Sequence, residues 1–149
     1  MKIAHLAAAV VALVSAAGRA EGACTVSTTG ASFGTYDVFN TSANASTGTI
    51  TYRCGTSDKD ILITLSKGSS SMFTTRTLRN GTEVLEYNLY RDAAFSSIWG
   101  DGTSGTTTYT IRNPPNNQDV ILTVYGRVPA LQDVATGSYA DAVIVTINF

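Results

Sequence analysis

Short segments rich in β-branched and aromatic residues recur along the chain from residue 24 onward, and clusters of turn-forming residues separate them. Several segments alternate apolar and polar residues, as strands with one buried face do, and none has convincing helical periodicity. Among the turn clusters, Asn80-Gly81 is the strongest hairpin signal. We expect an all-β domain, and the spacing of the strands favours a two-sheet sandwich over a barrel. The pattern predicts eight strands, at residues 24–27, 32–39, 47–54, 60–66, 84–90, 106–112, 119–128 and 142–149.

The last predicted strand, residues 142–149, has the most regular alternation of apolar and polar residues in the chain and finishes on an aromatic side chain. A strand at the edge of a sheet exposes apolar side chains and unpaired backbone groups unless another strand covers it. We therefore expect a sandwich that another molecule completes at this edge.

The first 23 residues have the pattern of a secretion signal. Lys2 supplies a positive charge, and residues 3–17 form a small, apolar run that is too short for a comfortable membrane span. We expect a signal peptide at residues 1–23 and a single domain at residues 24–149. Three alanines are candidate cleavage points, of which the last two are favoured: Ala17, Ala20 and Ala23.

The charge balance of the chain excludes some partners. Lys2 and Arg19 lie in the predicted signal, so the processed chain is slightly acidic and has no cluster of basic residues. Nucleic acids and anionic membrane surfaces attract proteins with a basic surface, so we expect neither a nucleic-acid partner nor stable membrane insertion. The number of residues after the signal suffices for one domain with one core.

Cysteine usage agrees with secretion. Cys24 and Cys54 are the only cysteines, and an oxidising compartment would join them in a disulfide. A redox or metal-binding role is disfavoured because the pair lacks the Cys-x-x-Cys spacing and a histidine partner. Lipidation of Cys24 is disfavoured by Glu21, which stands where a lipoprotein signal needs an aliphatic residue.

The candidates for catalysis are few. The single histidine, His5, lies in the predicted signal, so the processed chain lacks the usual nucleophile–histidine arrangements. Two aspartate pairs, Asp58 with Asp60 and Asp92 with Asp101, could hydrolyse a glycoside or bind calcium. The favoured interpretation is that these aspartates shape turns, and we expect no enzyme, no metal and no cofactor.

An ordered set of motifs resembles the spore coat protein U domain, which is also the pilin module of Csu-type archaic chaperone-usher pili. The resemblance covers essentially the whole chain after residue 23. The motifs are Cys24-Thr-Val-Ser, Phe33-Gly34-Thr35-Tyr36-Asp37, Tyr52-Arg53-Cys54, Tyr87-Asn88-Leu89-Tyr90-Arg91-Asp92, Trp99-Gly100-Asp101-Gly102, Tyr125-Gly126-Arg127-Val128-Pro129-Ala130 and Gly137-Ser-Tyr139-Ala-Asp141.

This resemblance implies an incomplete immunoglobulin-like sandwich of the pilin type, which is completed by a donor strand. The implied partners are a periplasmic pilus chaperone, an outer-membrane usher and neighbouring pilin subunits, and the implied destination is the cell surface. By resemblance the chaperone pairs with the C-terminal strand. The predicted contact residues share one face of that strand, although they could simply fill the subunit's own core: Val143, Val145, Ile147 and Phe149.

One departure from the family pattern concerns the donor segment. Polymerising subunits of this type carry an alternating apolar segment before the first cysteine, whereas cleavage after Ala20 or Ala23 leaves at most Glu21-Gly22-Ala23 here, and cleavage after Ala17 leaves six residues. An extended chain covers about 3.3 Å per residue, so three residues cannot fill a strand groove. We therefore expect a structural subunit that accepts a strand but does not donate one.

Two other function classes remain open beside this one. The first is an adhesin-like module that binds a surface or glycan through the loops at residues 100–105 or 113–117, and the second is an enzyme that uses the aspartates. Trp99 and Tyr125 are expected to be core or corner residues rather than ligand platforms.

Overall fold

The computed structural model describes residues 7–16, 24–56 and 59–149. These residues form ten β-strands and no helix, which confirms the all-β class. None of the described residues belongs to a helix that could cross a membrane. The strands are β1 (Ala7–Ala16), β2 (Thr25–Thr29), β3 (Ala31–Gly34), β4 (Asn44–Arg53), β5 (Asp60–Leu65), β6 (Arg76–Asn80), β7 (Glu83–Tyr90), β8 (Tyr109–Arg112), β9 (Asp119–Val128) and β10 (Ser138–Asn148).

The strands form two layers that enclose one core. One layer has the antiparallel order β2-β4-β9-β7, and its longest pairing joins β4 to β9 from Asn44 opposite Val128 to Arg53 opposite Asp119. The other layer has the order β8-β5-β10-β1-β3, with β6 beside β10. Strand β7 joins the layers because its first part pairs with β6 and its last part with β9.

Alternating burial places the core between the layers. Along β10 every second residue from Tyr139 to Ile147 is buried, and β5 buries Ile61, Ile63 and Leu65 in the same way. Aliphatic side chains of this kind each contribute about 1.5–3 kcal/mol when they leave water. The two-layer arrangement follows because each sheet has one apolar face that must be covered.

Several predicted strands differ from the observed ones in their bounds: β3 ends at Gly34 rather than at residue 39, and β8 begins at Tyr109 rather than at residue 106. Three further differences are larger or lie at the groove. Strand β10 begins at Ser138, four residues before the predicted start. Strand β6 was not predicted, because its sequence Arg76-Thr-Leu-Arg-Asn80 is largely polar. Asn80 is the last residue of β6 and pairs with Glu83, so the hairpin turn is Gly81-Thr82, and Gly81 takes the positive φ of 60° that the turn needs.

Strand β1 is the third difference, because it lies within the segment predicted to be a secretion signal. The sandwich of the full chain therefore contains residues 7–16 as a strand. The predicted cleavage points, Ala17, Ala20 and Ala23, lie outside the described residues. Cleavage of the segment stays a prediction.

The predicted disulfide is present and joins Cys24, just before β2, to Cys54, just after β4. It closes a loop with a sequence separation of 30 residues, and both cysteines are buried. A closed loop restricts the unfolded chain, so the disulfide is expected to stabilise the fold.

Removal of the disulfide by replacing both cysteines should lower the free energy of unfolding by about 3–4 kcal/mol, the value for a loop of this length. Urea unfolding of the oxidised chain and of the Cys24→Ala/Cys54→Ala double variant would measure the difference. A difference below about 1 kcal/mol would contradict this expectation, since it would mean that the loop is already ordered in the unfolded chain.

Candidate strand-acceptor groove

Strand β1 lies in a groove between β10 and β3. It runs parallel to β10, with Val10 opposite Ala140 and Ala16 opposite Thr146, and it pairs antiparallel with β3 around Val11 opposite Ala31. The backbone edge of β10 from residue 140 to residue 146 is therefore covered by β1. The rest of the sandwich provides a strand-shaped site, and β1 occupies it.

The side chains of β1 alternate between the core and the solvent. Val11 is fully buried and Leu13 is 8% exposed, whereas Ala12 is exposed and Val14 is 51% exposed. Val11 and Leu13 belong to the same core cluster as Phe33 and Val143. The groove thus takes two apolar side chains that stand two residues apart on one strand.

The structure gives different surroundings to the four predicted contact residues. Val143 and Val145 are fully buried in the wall of the groove, opposite Leu13 and Ser15 of β1. Ile147 is also buried but pairs with Ile63 of β5. Phe149 follows the end of β10 and is partly buried against the core. Contact of these four residues with another molecule stays a prediction.

Sequence reasoning missed Asp141, which stands in the same inward-facing row of β10. It is 6% exposed and lies opposite Val11 of β1. Its Oδ2 accepts a hydrogen bond from the hydroxyl of Tyr87 at 2.6 Å, and its Oδ1 accepts one from the amide of Ser69 at 2.8 Å. The alternation of β10 would have shown its inward position if the strand had been predicted to start at Ser138.

Tyr87 should make the fold sensitive to alkaline pH. Burial, and then the nearby charge of Asp141, raise the pKa of the Tyr87 phenol far above its ordinary value. The folded protein then keeps a proton that the unfolded chain releases, so stability is complete below about pH 10 and falls as the pH rises. The expected slope is about 1.4 kcal/mol per pH unit above pH 10 from this one group.

Urea unfolding of wild type and of Tyr87→Phe between pH 8 and about pH 11 measures that slope. The variant loses the hydrogen bond to Asp141 and should be less stable at pH 8, but its stability should fall less steeply with pH. Equal slopes in the two proteins would contradict the assignment to Tyr87.

Arg76 is the centre of a second buried polar cluster near the groove. Its side chain is fully buried, and burial lowers the pKa of its guanidinium. Nη1 donates to Oδ1 of Asn88 at 2.7 Å, and Nη2 donates to the carbonyls of Ser66 and Trp99 at 2.8 Å and 2.7 Å. Nε also donates to the Ser66 carbonyl, at 3.1 Å. The guanidinium thus fixes three chain segments relative to each other.

Ser66 connects this cluster to the wall of the groove. Its amide donates to the carbonyl of Ile144 at 2.9 Å, and its hydroxyl accepts a hydrogen bond from the Ile144 amide at 2.9 Å. Ile144 lies on β10 between the two inward valines, Val143 and Val145. Arg76 therefore acts on the groove through Ser66, which supports β10 from the side opposite β1.

Two of the aspartates considered for catalysis, Asp92 and Asp101, lie in turns. Asp92 accepts hydrogen bonds from the amides of Ser96 and Ser97 at 3.0 Å and 2.7 Å, and these bonds lower its pKa. Asp101 accepts bonds from the hydroxyl and amide of Thr103 at 2.6 Å and 2.9 Å, which lower its pKa. Asp60 is exposed, and Asp58 lies outside the described residues. The hydrogen bonds of Asp92 and Asp101 within their own loops thus account for the presence of both residues.

Residues 7–16, 24–56 and 59–149 hold no group of three or more histidine, cysteine, aspartate or glutamate side chains that could bind a metal ion.

The aromatic residues have the surroundings expected of structural residues. Trp99 is 1% exposed, and its indole nitrogen donates to the carbonyl of Ile63 at 3.2 Å, while Tyr125 is partly buried. The loops at residues 100–105 and 113–117 contain positive φ angles at five positions: Gly102, Ser104, Gly105, Asn113 and Asn117. These loops are turns with a defined backbone.

A known family has a sequence pattern that matches this chain. The model of the Spore Coat Protein U domain matches residues 10–146. The chain belongs to the spore coat protein U domain family. A curated relative, Protein U of Myxococcus xanthus, is 35% identical in an alignment of 130 residues that covers 78% of this chain and 70% of the relative.

The spore coat U fold also resembles a solved structure from pili. The match is to a chain in the CsuC–CsuE chaperone–tip adhesion subunit pre-assembly complex of the archaic chaperone-usher Csu pili of Acinetobacter baumannii. The TM-score is 0.55 at 16% sequence identity, and the match covers 86% of this spore coat U chain and 40% of the solved chain. This likeness shows a shared fold, which confirms the predicted pilin-type sandwich.

Proposed function

We propose that this protein is a structural subunit of a secreted surface assembly, either an archaic chaperone-usher pilus or a spore-coat-like layer. Another polypeptide supplies the strand that occupies the groove between β10 and β3 in the processed subunit. A periplasmic chaperone supplies it first and a neighbouring subunit later, at an outer-membrane usher. The family match and the fold of the pilus relative support this proposal.

The observation that carries the proposal is the position of β1, which lies in a groove between β10 and β3. Residues 7–16 carry the secretion-signal pattern, and yet they fill a site between two other strands. Removal of the signal would leave β10 and β3 with unpaired edges and would empty the space of Val11 and Leu13. An open groove of this kind is completed by strand addition from another molecule.

The processed subunit accepts a strand and donates none under this proposal. Cleavage after Ala20 or Ala23 leaves at most Glu21-Gly22-Ala23 before Cys24, which is shorter than a strand. Such a subunit ends a fibre, stands at a tip or joins a layer by another contact.

Surface display tests this function directly. The chain would be produced in its own host with and without the chaperone and usher genes, and surface-exposed multimers would be measured by immunoblotting of sheared material without heating. The proposal expects multimers only when both accessory proteins are present. Equal display without them would overturn it and favour an independent binding module.

Two substitutions on one strand refine that experiment. Val145→Asp places a charge in the wall of the groove, whereas Ile144→Asp places the same charge on the outward face, where Ile144 is 46% exposed. We expect display to be lost for Val145→Asp and retained for Ile144→Asp. The matched pair separates an effect of the groove from a general effect of a charge on β10.

A further inference from the structure

The chain changes sheets beside the groove, at Gly30. Strand β2 pairs with β4 in one layer, and β3, which starts one residue after Gly30, pairs with β1 in the other layer. The crossing point therefore lies against the backbone of the strand in the groove. Two residues at this point, Gly30 and Thr28, contact that backbone.

Gly30 leaves room for a carbonyl of the inserted strand. A Cβ atom added to Gly30 would collide with the carbonyl oxygen of Val11 and would lie 3.1 Å from its carbonyl carbon and 3.6 Å from the Cα of Ala12. All three of these nearest atoms belong to β1. Real Cβ atoms do not approach backbone atoms so closely, so a side chain at residue 30 and a strand in this position exclude each other unless the backbone shifts.

Thr28 binds the next carbonyl on the same edge. Its hydroxyl Oγ1 donates a hydrogen bond to the carbonyl oxygen of Leu13 at 2.5 Å. Carbonyls of alternate residues in a strand point to the same edge, so those of Val11 and Leu13 both face the crossing. The side chains of Val11 and Leu13 are also the ones that β1 buries in the core.

We propose that Gly30 and Thr28 anchor the main chain of the strand that the groove accepts. They recognise two main-chain carbonyls, two residues apart, on a strand whose side chains at those residues are apolar and point inward. The occupant is an extended segment of a partner polypeptide with the alternation of residues 11–14. These contacts reach main-chain carbonyls and would hold any extended occupant, whereas the inward side chains set its register, because a shift of one residue would bury the counterparts of Ala12 and Val14 instead.

This inference rests on the proposed function for the identity of the natural occupant, whereas its test uses β1. The full chain, residues 1–149, would be produced without signal cleavage and oxidised so that the disulfide forms. Hydrogen–deuterium exchange with mass spectrometry would then be measured for peptides that cover β1, β4 and β9. The compared proteins are wild type, Gly30→Ala, Thr28→Val and two controls.

The controls change the same region without touching β1. At Gly48 on β4, an added Cβ would meet the carbonyl oxygen of Thr29 at 2.5 Å and the amide nitrogen of Ala31 at 3.1 Å, so Gly48→Ala disturbs the crossing from the other layer. Thr29→Val makes the same chemical change as Thr28→Val at an exposed residue next to it.

Gly30→Ala is expected to speed amide exchange of β1 about tenfold or more while exchange in β4 and β9 stays as in wild type. Thr28→Val is expected to speed it about fivefold, the effect of one hydrogen bond, and Thr29→Val to leave it unchanged. Gly48→Ala is expected to affect β4 and its neighbours at least as much as β1. Unchanged β1 exchange in Gly30→Ala, or an equal increase in β4, would overturn the inference.

Failure of this test and failure of the proposed function are distinct outcomes. If Gly30→Ala does not alter exchange of β1, the anchoring proposal is wrong even when the processed chain still needs a chaperone. If display proves independent of chaperone and usher while Gly30→Ala frees β1, the anchoring contacts are real and serve the chain's own strand.

Discussion

The processed chain, residues 24–149, is expected to lose about 5 kcal/mol or more of unfolding free energy relative to the full chain. Its core loses the side chains of Val11 and Leu13, each contributing about 1.5–3 kcal/mol. The edges of β10 and β3 also lose their backbone partners, at about 1 kcal/mol for each net hydrogen bond. A loss of this size is comparable with the roughly 5–15 kcal/mol stability of a whole domain.

Urea unfolding of the two oxidised chains, each refolded in vitro, measures this loss. A synthetic peptide with the sequence of residues 7–16 should restore stability to the processed chain in proportion to its concentration. The same peptide with Leu13→Asp should fail, because it places a charge in the core, whereas Val14→Asp should still act, because Val14 is exposed. Equal stability of the processed and full chains would contradict the account of the groove.

Arg76→Met is the second change with a large expected effect. It leaves the carbonyls of Ser66 and Trp99 without their donor in the buried cluster, and Oδ1 of Asn88 keeps only the bond from the Leu89 amide. Each buried acceptor that loses its partner costs about 1–3 kcal/mol, so the free energy of unfolding should fall by roughly 3–5 kcal/mol. Methionine keeps an apolar stem of similar length and limits the cavity that the change creates.

Arg79→Met is the matched control, because Arg79 lies on the same strand with an exposed side chain. Its effect should stay within about 0.5 kcal/mol, as for most surface substitutions. Chemical denaturation of the three full chains is the measurement. Similar losses for Arg76→Met and Arg79→Met would show that charge on β6, rather than the buried hydrogen bonds, stabilises this region.

The central strands could be predicted from the sequence because local pattern and tertiary burial agree there. Strand β9 was predicted with the observed bounds, Asp119–Val128, since its alternation of β-branched residues matches a half-buried strand. The inward row of β10, with Val143 and Val145, was visible for the same reason. The disulfide followed from composition and secretion, because the chain offers only one pair, Cys24 and Cys54.

The polar support of the groove could not be predicted, because it depends on contacts between distant segments. Arg76 is a charged residue that local pattern places on the surface, and only the acceptors of Ser66, Asn88 and Trp99 make its burial possible. Asp141 is similar, since the hydroxyl of Tyr87 lies 54 residues before it in the chain. In both cases the sequence does not show which partners will meet.

Strand β1 illustrates a different limit. A run of small apolar residues is compatible with a secretion signal and with a buried strand, because both require apolar side chains and little charge. The burial of Val11 and the exposure of Ala12 arise from the position of β10 and β3. Both interpretations are correct if residues 7–16 occupy, in the full chain, the groove that another strand occupies after signal cleavage.

The most direct test of the account is the mass of the periplasmic protein, measured under native and denaturing conditions in the same preparation. The account predicts that the denatured mass is that of a chain whose first residue lies near Cys24. It also predicts that the native mass always includes one further polypeptide bound to the processed chain. A processed chain that accumulates as a stable lone monomer would contradict it, and so would a mature protein that still contains residues 7–16.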